Sequence, residues 1–170
     1  GHLAPYWFAQ LVGAFAGSAA LYGIFSKAIE NWEADNGVTR GVGSIAYGFG
    51  AYWSPDVAGP MQACLTEVIG TAMLTFVIFS VTHEKNNVPA AAVPAIVGAA
   101  IGSIIAIIGS LSGGAINPAR DLGPRIVASM VGWGGDAFKG LGVYLLGPIV
   151  GGPIGGFICD KMLRNKRFSS

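Results

Sequence analysis

Charge is the scarcest ingredient of this 170-residue chain. Asp, Glu, Lys and Arg supply 11% of its residues, where an ordinary soluble domain has about 25%. Residues 5–26, 86–119 and 140–159 contain none of the four, and residues 57–82 contain only Glu67. The formal net charge of +1 gives no footing for nucleic-acid binding. Cysteine is nearly absent. Cys64 and Cys159 both lie in apolar runs, where cysteine reads as a small packing residue and not as half of a disulfide or metal pair. Histidine is as rare, and His2 and His83 are far apart. With no nucleophile–base pair, metal-ligand cluster or phosphate-cradling loop, an enzyme, a metal and a cofactor all lack support. The start, Gly1-His2-Leu3, shows no cleavable signal peptide.

Apolar residues fill the space that charge leaves, at 52%. A membrane-crossing helix needs about 20 mainly apolar residues. The charge-poor runs supply four such spans, at about 5–25, 60–82, 89–109 and 140–159. Pro5 suits a first helical turn, and Tyr6 and Trp7 suit a membrane interface. Small residues four apart predict faces for close helix contact: Gly13 with Gly17, Gly98 with Gly102, and Gly147 with Gly151 and Gly155. The connection 26–58 holds Glu30, Glu33, Asp35 and Arg40, then a Gly- and aromatic-rich run over 41–53. A connection of that length is often functional or partly ordered, and the expectation here is a vestibule. The basic tail over 160–167 reads as a cytoplasmic flank. Four spans then put the N-terminus and the 83–87 joint on the cytoplasmic side too.

The most informative stretch is Gly113-Gly114-Ala115-Ile116-Asn117-Pro118-Ala119-Arg120-Asp121. Asn is a preferred helix N-cap and Pro a preferred first helical residue. A short helix is predicted over 118–130, with Arg120 and Asp121 in its first turn and Pro124 inside it. Such a helix reaches roughly 18 Å, too short for a core of about 30 Å. A charged helix start beside membrane spans is costly unless it lines something wet. The positive helix end, the Asn117 carboxamide and the fixed Arg120 cation favour small neutral hydrogen-bond acceptors over cations and protons.

The run Ala115-Ile116-Asn117-Pro118-Ala119-Arg120-Asp121-Leu122-Gly123-Pro124-Arg125 resembles the second Asn-Pro-Ala box of the aquaporin family, in its aquaglyceroporin branch. Thr66-Glu67-Val68-Ile69-Gly70-Thr71 resembles that family's buried-glutamate helix, and Pro5-Tyr6-Trp7-Phe8-Ala9-Gln10 its third helix. The resemblance covers nearly the whole chain. It implies an all-α membrane protein, an aquaporin-like bundle of four spans plus one re-entrant half-helix, matching the family's third to sixth helices. It implies one partial aquaporin-like transmembrane domain over residues 1–170.

The same resemblance implies the roles. Asn117 would orient the permeant and Arg120 would form part of the narrow filter. The carbonyls of Gly113, Gly114 and Ala115 would accept along one pore wall. Gly109 matches the small filter residue of the fifth helix, although the 109–117 link is about four residues shorter than the family's. Glu67, Pro118 and Ala119 would support the pore loop. A proton relay through Glu67 is the rival reading, but no chain of acids or histidines continues it. Asp121, Arg125 and the Pro148-Ile149 pair match the glycerol-conducting branch. Gly114 departs from it, since that branch often places an aromatic there.

The implied function is passive conduction of glycerol, other small neutral solutes and water, with ions and protons excluded. The implied setting is the lipid bilayer of the plasma membrane, as a homotetramer with cytoplasmic C-termini. The family's first two helices, first box and first half-helix have no counterpart in this sequence; the expectation is an incomplete chain. His2 would line the pore entrance. The alternative is a non-conducting structural subunit that assembles with full-length relatives.

Overall fold

The structure, a computed structural model, describes residues 3–41, 44 and 49–164 (for Arg164, the backbone alone). His2, Lys166 and Arg167 lie outside the described residues. Among the described residues there are five α-helices: α1 (Leu3–Asp35), α2 (Pro60–Thr82), α3 (Val93–Ser112), α4 (Pro118–Ala128) and α5 (Leu141–Arg164). A 3-10 turn, Glu84–Asn86, joins α2 to α3, and a π-helical turn, Ser129–Trp133, follows α4.

Among the described residues four helices are long and apolar enough to cross a membrane: Leu3–Asp35, Pro60–Thr82, Val93–Ser112 and Leu141–Leu163. The protein is an all-helical, multi-pass integral membrane protein. Phe8, Ile24, Met61, Ile107 and Phe157 are exposed, as side chains that face lipid are. At 11 residues α4 cannot cross, because it reaches only about 17 Å.

Several helix ends differ from the charge-free runs, since lack of charge marks a hydrocarbon crossing and not a helix terminus. α1 continues ten residues past 25, to Asp35. It stops where Asn36 Nδ2 donates to Trp32 O at 2.8 Å and Gly37 takes a φ of +64°. Val38 N then closes onto Glu33 O at 3.0 Å, a glycine-ended helix stop. The connection shrinks to residues 36–59. α3 begins at Val93, four residues after Pro89, whose carbonyl accepts from Ala92 N in a preceding turn. It runs to Ser112, where Gly113 caps it at φ +84°.

The chain forms two compact units. One joins Gly1–Tyr52 with Asn117–Leu141. Here α4 packs on α1 with backbones in contact: a Cβ on Gly123 would lie 2.7 Å from Ala14 Cβ and 2.8 Å from Phe15 N. Around Gly13 and Gly17 the space is open. Ile29, Ala128, Trp133 and Ala137 are this unit's buried apolar cluster, with Tyr22, Phe49 and Val131 packed against it.

The second unit joins Trp53–Ile116 with Gly142–Ser170. α5 lays Gly147, Gly151 and Gly155 on α2. A Cβ at 147 would sit 2.5 Å from Glu67 Cβ, and at 151 or 155 it would collide with the Val68 or Ala72 carbonyl oxygen. α3 meets α2 where Ile104 and Ile108 cover Gly70. Gly98 and Gly102 face open space. Both cysteines are free thiols; Cys159 is buried with its Sγ 3.3 Å from Ser80 Oγ.

Candidate functional site

In the second unit, α2 brings Glu67 beneath the segment that follows α3. Glu67 is wholly buried, and a buried carboxylate is costly unless its lone pairs are used. Its Oε1 accepts from Ser112 Oγ at 2.7 Å and from Ala115 N at 3.0 Å. Its Oε2 accepts from Ile116 N at 2.6 Å. Gly114 N donates to Ser112 Oγ at 3.2 Å. Three successive amides, 114 to 116, thus turn toward Glu67 and Ser112. In a trans peptide the carbonyl points opposite to the N–H of the next residue. The carbonyls of Gly113, Gly114 and Ala115 therefore point away from Glu67, as a row of acceptors.

The backbone of this row is unusual. Gly113 and Gly114 have φ of +84° and +63°, which glycine adopts freely. Ile116 has φ +46°, an outlier for a β-branched residue. Its side chain packs with Ile104 and Ile108 over Gly70. Tyr144 of α5 is buried, and its hydroxyl donates to Ser112 O at 2.7 Å. Gly109 is half-buried, one turn before Gly113. The neighbour of Gly114 is Ile105: a Cβ on Gly114 would meet Ile105 Cγ1 at 3.4 Å.

In the first unit, Asn117 is the N-cap of α4, with Pro118 behind it. Asn117 Oδ1 accepts from Ala119 N at 2.9 Å and Arg120 N at 3.3 Å. That fixes the carboxamide so that its NH2 points away from the helix. Among the described residues it makes no hydrogen bond. Arg120 is exposed, and its Nη1 donates to Phe49 O at 3.3 Å. Two sources of N–H donors thus sit at the positive end of a helix.

Asp121 is placed differently from Asn117 and Arg120. It is fully buried. Its Oδ2 accepts from Arg125 Nε at 2.6 Å and its Oδ1 from Ala51 N at 2.7 Å. Arg125 is buried too, and donates to the carbonyls of Ala51 at 2.5 Å, Ala137 at 2.7 Å and Lys139 at 2.9 Å. The Tyr52 ring lies over its guanidinium at 4.2 Å. Burial pushes the Tyr52 phenol up to about 12, so it stays protonated and donates to Ala137 O at 3.1 Å. Asp121 therefore has no surface to present to a solute; it and Arg125 tie residues 51 and 137–139 to α4.

Sequence reasoning passed over Ser112, Tyr144, Phe49 and Ala51. Tyr144 had a signal, since a phenol inside an apolar span needs a partner. Ser112 is the lone hydroxyl beside the glycine pair. Phe49 and Ala51 act through backbone atoms, which leave no mark in side-chain chemistry.

These features define a polytopic membrane protein with a carboxylate-held carbonyl row in one unit and a short helix with a partly exposed, Asn-capped start in the other. The chain belongs to the major intrinsic protein family, whose pattern matches residues 2–159. It is 42% identical over 151 residues to Aquaporin-1 of Rhizopus delemar, covering 88% of this chain and 49% of that protein. It is 36% identical over 169 residues to the glycerol uptake facilitator protein of Escherichia coli K12, covering 94% and 60%. The solved aquaglyceroporin of Plasmodium falciparum superposes with a TM-score of 0.74 at 26% identity, covering 94% of this chain and 62% of that one. The chain thus spans about half to three-fifths of these proteins. The family consists of membrane channels, not enzymes.

Proposed function

We propose that this chain is the filter-bearing part of a passive channel for glycerol, other small neutral solutes and water. The observation that carries the reading is the clamp of Glu67 and Ser112, which turns three successive amides one way and leaves the carbonyls of residues 113–115 as acceptors. Asn117 and Arg120, next in the chain, keep N–H donors unspent. A polyol or water molecule both donates and accepts, so it is served by such acceptors and donors. A cation is repelled by Arg120 and by the positive end of α4. In this reading Gly109 and Gly114 leave width for a carbon skeleton, and Pro118 and Ala119 build the first turn that Asn117 caps. Asp121 contributes indirectly, through Arg125 and Ala51.

The test is stopped-flow glycerol and water flux in proteoliposomes of the full-length gene product. Uptake equal to that of empty liposomes would remove the proposal. Unchanged ion exclusion in Arg120→Ala would remove Arg120 from the filter.

The open faces at Gly13 and Gly17 and at Gly98 and Gly102 support a homotetramer. They equally support the second reading, a non-conducting subunit that assembles with longer relatives; co-purification without flux of its own would favour it. The Lys85 ammonium donates to Leu163 O at 3.4 Å, so the α2–α3 joint and the end of α5 share one side. Their Lys and Arg content supports a cytoplasmic C-terminus.

A further inference from the structure

We propose that Arg40 is a positioning residue for Arg120, acting through Trp133 and Phe49. The inference rests on the filter role proposed for Arg120. Arg40 lies in the connection after α1, and its side chain is four-fifths buried. Its guanidinium is almost saturated. Nε and Nη2 donate to the Glu33 carboxylate at 3.0–3.2 Å, and Nη1 donates to Tyr22 OH at 2.7 Å and Val131 O at 3.1 Å. The group stacks on Trp133 at 4.8 Å from the ring centre. Its stem passes over Gly132, where any side chain would meet Arg40 Cδ at 2.8 Å. Arg40 thus joins the last turns of α1 to the turn after α4.

That junction is the floor on which Phe49 rests. Phe49 packs against the cluster of Ile29, Ala128, Trp133 and Ala137. Its backbone is left-handed, at φ +61°, a conformation that a bulky residue keeps only when its surroundings hold it there. Phe49 O is the acceptor for Arg120 Nη1 at 3.3 Å. Arg120 has five donors, and the direction of its guanidinium depends on where that carbonyl points. Loosen Trp133 and Phe49 can relax to negative φ. The carbonyl then swings away and Arg120 is freed to wander. None of this requires Arg40 to touch a permeant.

The experiment measures glycerol and ribitol permeability in proteoliposomes of the full-length protein, for Arg40→Met, Arg120→Ala and the pair. The expected result is a ribitol-to-glycerol ratio raised about threefold by Arg40→Met, more by Arg120→Ala, and no further by the double variant, since residues acting through one group are not additive. Arg40→Lys keeps the charge but not the planar fork, and is expected to fall between Met and wild type. A ratio unchanged in Arg40→Met, with both fluxes merely scaled down, overturns the inference while leaving the filter reading intact. A fully additive double variant overturns it as well. An unchanged ratio in Arg120→Ala itself would instead sink the filter reading. Should Arg40→Met fail to insert, Tyr22→Phe removes a single bond from the same guanidinium. It should raise the ratio by a smaller factor, and no rise overturns the inference.

Discussion

Glu67 Oε2 accepts the Ile116 amide at 2.6 Å and so holds a β-branched residue at φ +46°. The backbone of the acceptor row is therefore not at its own local minimum. It is held by a carboxylate two elements away in the chain. Charge does little here beyond making a strong acceptor, because every partner of Glu67 is a neutral donor.

Glu67→Gln tests this directly. An amide keeps one acceptor oxygen and turns an NH2 toward the other donors. At least one of Ser112 Oγ, Ala115 N and Ile116 N then faces a donor instead of an acceptor. Leaving a buried donor unpaired costs about 1–3 kcal/mol. The expected outcome is a protein that still inserts, with a clearly lower melting temperature in detergent and a larger loss of flux. Equal melting temperature and flux would mean that Glu67 does not shape the row.

The α5 glycines make a contrast with the open ones. Gly151→Ala or Gly155→Ala drives a methyl into the Val68 or Ala72 carbonyl. Overpacking of this kind costs about 1–3 kcal/mol, occasionally more. Gly98→Ala meets nothing in this chain and removes a poor helix former, a gain of up to about 1 kcal/mol. Thermal unfolding should rank them in that order. Gly98→Leu is expected to leave the protomer folded but to shift the proposed tetramer toward monomers on size-exclusion chromatography. An unshifted profile would exclude Gly98 from a subunit contact.

The sequence carries some of these features openly and hides others, for physical reasons. α2 fills its charge-poor run because Pro60 opens it and Thr82 closes it at His83. The cap at Asn117 is legible because capping is local chemistry, one side chain reaching two or three residues ahead. The far end of α1 is not legible from hydropathy, since Lys27, Glu30 and Glu33 belong to a helix that outlasts its apolar stretch. Asp121 shows its residue type but not its burial, which depends on Ala51 lying 70 residues earlier in the chain. The carbonyl row leaves the least trace of all. Its direction is set by Glu67, Ser112 and Tyr144 on three helices.

The buried Asp121–Arg125 pair yields a cycle. Asp121→Ala strands a buried guanidinium, at a cost of about 3–5 kcal/mol. The double variant Asp121→Leu with Arg125→Met removes both charges, and by the same principle should recover much of that loss. It will not recover the bonds of Ala51 or the ring contact of Tyr52 with the lost groups, although the Tyr52 hydroxyl keeps Ala137 O. Expected, then, is a protein about as stable as wild type whose glycerol selectivity is altered. Selectivity matching wild type would show that Ala51 docking does not bear on the filter.

Gly114 offers the last prediction. The glycerol-conducting pattern often places an aromatic at this position, so Gly114→Phe looks like a repair. The geometry argues otherwise. Gly114 sits at φ +63°, where a side chain is strained. Its Cβ would already lie 3.4 Å from Ile105 Cγ1 and 3.6 Å from Ile105 Cα. Ile105 thus stands where added bulk would go. Gly114→Phe should therefore lower glycerol flux at least severalfold, the rough consequence of overpacking by about 1–3 kcal/mol, without a gain in discrimination against ribitol. Ile105→Ala in the same chain should restore part of the flux, since it clears the space the ring needs. Glycerol flux retained in Gly114→Phe alone, with sharper exclusion of ribitol, would show that the backbone at 114 tolerates the side chain and that Ile105 is no obstacle.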